Sequence, residues 1–185
     1  MTTAKGASVR VEWSNGIGTE LNNLFGTPLS SGTSAAGDGF KVELGYYSFA
    51  TTTDPFAGSW LSLSGSNFSI GDKGVSAGLV NGSSVLNTSI FGLTTDTPLS
   101  IRFYDSTAAL TATYFNVVSN NSGTWNWKIP TDPQPALNIT LSDAGIVWQD
   151  GVASAFRTTI PIPEPSSVFL FVVASSSFLL RRRKK

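Results

Sequence analysis

The chain has 185 residues with 12 cationic and 12 anionic side chains, and it contains neither cysteine nor histidine. Those two absences remove a disulfide framework, thiolate and imidazole metal sites, the Ser-His-Asp triad and any histidine general base. The zero net charge hides an uneven layout, because residues 1–160 carry 7 cations against 11 anions, net −4, while five cations stand together at 181–185.

An acidic body of this kind speaks against a nucleic-acid partner and suits solubility outside the cell. Residues 1–8 hold no apolar stretch long enough for a secretory leader, so an exported body implies a start upstream of Met1. Strict alternation over Ser8, Val9, Arg10, Val11, Glu12 and Trp13 predicts the first strand, ended by the turn-forming Asn15-Gly16. Residues 22–39 are rich in Gly and Ser and read as a long loop. The strongest strand spans 40–49, with Phe40, Val42 and Leu44 on one face.

Residues 54–60 read as a turn whose Phe56 and Trp60 plug one end of the core. Short strands are expected near Phe68, 75–80 and 85–88, then at 101–105, 112–118, 124–129, 137–141, 146–148 and 155–158. Many short strands without a long amphipathic helix predict an all-β body, an antiparallel β-sandwich of jelly-roll-like kind.

Paired carboxylates are the one enzymatic option left. Asp143 and Asp150 lie seven apart around a glycine-containing strand and could serve as acid and base in glycoside hydrolysis; loop aspartates that start turns have the same spacing. Asp38, Asp54, Asp72 and Asp143 lack the dense spacing of a calcium loop, so no metal or cofactor is expected. Trp125 and Trp127, two apart, share a strand face. They read either as an aromatic platform for the faces of sugars or as core filling.

The last stretch differs in kind. Pro161, Pro163 and Pro165 alternate, which favours an extended spacer with few backbone donors. Residues 166–180 follow with no charge and no helix breaker, then Arg181, Arg182, Arg183, Lys184 and Lys185. As a helix that run spans roughly 22 Å at 1.5 Å per residue, short of the roughly 30 Å bilayer core, and snorkelling cations make up part of the difference. The basic end obeys the positive-inside rule and places the body on the far side of the membrane.

The order Pro163-Glu164-Pro165, apolar run, Arg181-Arg182-Arg183 resembles the PEP-CTERM sorting signal of Gram-negative bacteria that make extracellular polysaccharide. The resemblance implies that exosortase, a membrane transpeptidase-like enzyme, reads and removes the tail and passes the body to the cell surface. Blocks such as Trp13-Ser14-Asn15-Gly16, Leu44-Gly45-Tyr46-Tyr47 and Ile101-Arg102-Phe103-Tyr104-Asp105 are similar to those of uncharacterised PEP-CTERM proteins, which carry no assigned activity. The expectation is therefore an extracellular β-domain at 1–159 and a sorting tail at 160–185, with a transmembrane helix at 166–180. The implied role is structural or adhesive without catalysis, or alternatively that of a module binding extracellular polysaccharide.

Overall fold

The computed structural model describes residues 8–16, 18–30, 39–51, 53–63, 77–87, 93, 97–107, 110–122, 127–129, 136–152 and 155–162. Phe68, Trp125, Asp38, Asp72, the Pro163-Glu164-Pro165 motif and the run 166–180 lie outside them. Among the described residues no helix is long and apolar enough to cross a membrane.

All regular structure among the described residues is β, in nine strands and two sheets. Strand β1 (Ser8–Ser14) realises the alternation of its sequence: Val9, Val11 and Trp13 are buried, and Ser8 and Arg10 are exposed. It sits in the middle of the smaller sheet, between β4 (Asn81–Asn87) and β7 (Leu137–Thr140). The β1–β4 pairing is antiparallel, as expected, while the β1–β7 pairing is parallel, an exception among the described strand pairings. The physical reason lies in the connection. More than a hundred residues separate β1 from β7, so no tight hairpin imposes opposite directions on them.

The larger sheet has the order β3 (Trp60–Ser62), β2 (Val42–Tyr47), β5 (Ser100–Tyr104), β6 (Tyr114–Asn120), β8 (Ile146–Trp148), and β9 (Ile160–Pro161) also pairs with β6. All of these pairings are antiparallel. Since β5 occupies one edge of β6, β8 and β9 share the other: β8 lies opposite Val118, Ser119 and Asn120, and β9 opposite Tyr114 and Phe115. Gln149 N–H still reaches Val117 O of β6 at 2.9 Å, just past the end of β8. One hydrophobic cluster unites the sheets, taking Val9, Val11, Trp13, Leu86 and Ile139 from the smaller and Val42, Leu44, Ile101, Phe103, Val118 and Trp148 from the larger. Burial of this apolar surface is the main favourable contribution to such a fold.

Several local expectations change. The strand expected at 75–80 is turn and coil at 77–80, because Gly78 sits at φ 78° and the strand starts only at Asn81. Residues 155–158 are not a strand, because Phe156 adopts φ 59° and an extended run cannot pass through the left-handed region. Trp60 does not end a turn but opens β3. The spacer expected from residue 160 starts later: Ile160 and Pro161 pair with β6, and Ile162 N–H donates to Thr113 O at 3.0 Å. Pro161 is tolerated there because β9 is an edge segment, where a missing N–H disrupts little.

Candidate binding face on the larger sheet

The period of two that sends Val42, Leu44, Ile101, Phe103 and Val118 into the shared core sends Glu43, Gly45, Tyr47, Arg102, Tyr104 and Phe115 to the opposite face. Trp60 joins them through its pairing with Tyr47. At the centre lies Arg102, whose guanidinium stands 4.3 Å from the Trp60 ring centre and 4.8 Å from that of Phe115. The cation is thus stacked between rings supplied by β3 and β6, on either side of its own strand β5. Each such contact is worth about 0.5–2 kcal/mol, depending on desolvation.

Strand β2 runs between Trp60 and Arg102, and it lets the ring pass because it places Gly45 there. A Cβ on Gly45 would lie 2.5 Å from both Trp60 Cζ2 and Leu61 O. The indole leans across the backbone through this gap. Tyr47 meets Trp60 edge-on at 5.5 Å and Phe56 edge-on at 5.9 Å, extending the aromatic patch, and its hydroxyl donates to Gln149 Oε1 at 2.9 Å.

Beside the stack is a charged group that is fully used. The Tyr104 hydroxyl donates to Glu43 Oε2 at 2.7 Å, and Lys41 Nζ sits 2.7 Å from Glu43 Oε1. Burial pushes the Tyr104 phenol well above its ordinary pKa; Arg102 acts against that shift and Glu43 adds to it. Glu43 therefore neutralises Lys41. Glu43 stands directly opposite Arg102 across the β2–β5 ladder but pairs with Lys41, and Arg102 forms no ion pair with a carboxylate among the described residues. Two buried donors in the cluster, Trp60 Nε1 and Arg102 Nε, have no acceptor. A buried donor left unpaired costs about 1–3 kcal/mol.

The residues singled out by sequence lie elsewhere. Trp127 is fully buried, and its Nε1 donates to Asp143 Oδ2 at 2.9 Å, so its ring presents no face to a sugar. The same Asp143 oxygen accepts Thr140 N–H at 3.1 Å, which makes Asp143 the lock of the turn after β7. Asp150 is exposed on the turn after β8, so the two carboxylates flank that strand at opposite ends rather than sharing a groove. Asp54 accepts Phe56 N–H at 3.1 Å, and Asp105 accepts Thr113 N–H at 2.9 Å. Among the described residues no group of three or more side chains is arranged to hold a metal ion.

The stacked face was missed because its members come from four strands. The usable signals were Gly45 in the middle of the strongest strand and Arg102 inside an otherwise apolar one. No family model matches the chain, and the curated proteins and the solved structures likewise give no match.

Proposed function

We propose that this chain is an exported protein of the cell surface or extracellular matrix, carried there by its tail as an exosortase substrate. The observation that carries the reading is the order of the tail: Pro163, Glu164 and Pro165, an uncharged apolar run at 166–180, then Arg181, Arg182 and Arg183. The run acts as a membrane-spanning helix and the cations as its cytoplasmic stop. In this reading the two sheets form a β-sandwich of jelly-roll-like kind on the outer side, released after processing.

A structural or adhesive role without catalysis fits how the carboxylates are used. Glu12, Glu20, Glu43, Asp54, Asp105 and Asp143 each hold a backbone N–H, a hydroxyl, an indole or a cation of the body itself. A second reading, a module that binds extracellular polysaccharide, is favoured by the Trp60–Arg102–Phe115 stack. It moves the expected glycan contact from Trp127 to the outer face of the larger sheet.

The tail reading is tested in a bacterium that possesses exosortase. Replacing Pro163, Glu164 and Pro165 by alanine should leave an unshortened chain in the membrane fraction, whereas the parent is shortened and recovered outside the cell. Equal processing of both chains would end the proposal.

A further inference from the structure

We infer that the Trp60–Arg102–Phe115 stack is a subsite for a carboxylate-bearing sugar, such as a uronate unit of an acidic polysaccharide. This rests on the polysaccharide-binding reading above and names its ligand class. Three observations converge on it. Arg102 is a cation clamped at 4.3 Å and 4.8 Å between two rings, with no carboxylate partner among the described residues. Its Nε and the Trp60 Nε1 are buried donors without acceptors. The carboxylate directly opposite it on the same face, Glu43, is held by Tyr104 at one oxygen and by Lys41 at the other, and forms no ion pair with Arg102.

A guanidinium in this state calls for an oxyanion, because a charge-assisted bond to a planar carboxylate satisfies donor and charge together. The surrounding rings decide what carries that oxyanion. Trp60, Phe56 and Phe115, each half-buried, offer apolar surface suited to the C–H faces of a sugar, and the buried Tyr47 ring supports Trp60 and Phe56 edge-on. Bulk electrostatics narrow the class further. The body carries net −4, which repels a densely charged polyanion and tolerates one whose carboxylates meet a single cation at a time. The stack is also preorganised: Gly45 admits the indole and the two rings fix the guanidinium plane, so little rotamer freedom remains to be lost on binding.

The test is retardation of the full chain in nonionic detergent, in native gels containing polygalacturonate, dextran or dextran sulfate. Arg181→Gln, Arg182→Gln, Arg183→Gln, Lys184→Gln and Lys185→Gln are made in every chain so that the terminal cations do not hold the polyanions. Polygalacturonate should slow the parent, while dextran should not and dextran sulfate should act more weakly. Arg102→Gln should weaken polygalacturonate binding at least about tenfold. Arg102→Lys, which keeps the charge but loses the planar fork, should also bind more weakly, and it serves where the glutamine variant fails to fold. Arg10→Gln, on the smaller sheet, should bind as the parent does.

Several results would overturn the subsite. They are no retardation by polygalacturonate, equal or stronger retardation by dextran sulfate, and Arg102 variants that fold and bind like the parent. Retardation by dextran alone leaves the polysaccharide-binding reading standing and removes this inference. Failure of all three polymers removes both.

Discussion

Tyr104 is the residue on which the outer face is most tightly balanced. Its hydroxyl satisfies Glu43, a carboxylate only 9% exposed, and it stands two residues along β5 from Arg102, the residue directly opposite Glu43. Tyr104→Phe would leave Glu43 Oε2 without its donor and should cost about 1–3 kcal/mol in denaturant unfolding. The pH dependence has a definite sign. Burial raises the folded-state pKa, so above the ordinary tyrosine value of about 10 the unfolded chain loses this proton while the folded chain keeps it. Stability drawn from the neutral phenol is complete below about pH 10 and is lost as the pH rises toward the folded-state value. Unfolding midpoints between pH 8 and 11 should therefore fall at the alkaline end for the parent and fall less for Tyr104→Phe. Parallel curves for the two chains would show that Tyr104 does not carry the effect.

At the scale of elements, the stretch at 155–159 between β8 and β9 shows what sequence pattern can and cannot reach. The strand before it, β8, follows from sequence pattern, whereas β9 lies in what reads as a Pro-rich spacer. The strand expected at 155–158 fails because Phe156 is held at positive φ, where its ring packs on Trp148 at 4.8 Å and its carbonyl accepts Asn22 N–H at 2.7 Å. Thr158 N–H returns a bond to Asn22 O at 2.9 Å, and Asn116 Nδ2 donates to Arg157 O at 2.8 Å. The hydrogen-bonded partners are more than forty positions apart in the chain, and no local window contains them. The same holds for the outer face: alternation placed Arg102 on a strand, but only the register of β2, β3, β5 and β6 brings Trp60 and Phe115 to it. Conversely, Trp125 and Trp127 looked like one strand face by spacing, whereas Trp127 is drawn inward by Asp143, sixteen residues away. Asparagine was legible as a turn former; its use as a buried stitch was not. Asn116→Ala should loosen the stretch at 155–159 without disturbing the centre of the sheet. Hydrogen exchange should speed up at the Thr158 and Asn22 amides and stay unchanged at those of Ile101 and Phe103, with a stability loss of about 1–2 kcal/mol. Uniform acceleration across both groups would mean that Asn116 supports the whole sheet.

For the whole molecule, the decisive boundary is where the folded body stops and the tail begins. The composition change at Ile160 suggested a spacer from that point, yet the sheet retains the chain for three more residues. Ile160 lies opposite Phe115, Pro161 opposite Tyr114, and Ile162 N–H reaches Thr113 O. Phe115 is also one of the two rings that clamp Arg102, so β9 borders the candidate binding face. Three residues, 163–165, then separate that edge from the apolar run, a distance of roughly 9 Å if extended at about 3.1 Å per residue. Processing at or beyond Pro163 would thus release a body with β9 and the stack intact, while any cut before Ile160 would strip an edge of β6. A chain ending at Ile162 should unfold at the same denaturant concentration as the full chain, and a chain ending at Thr159 should be less stable by about 1–3 kcal/mol through its lost pairings. Equal stability of the two shortened chains would show that β9 adds nothing to the body. The tail would then begin, as its prolines first suggested, at residue 160.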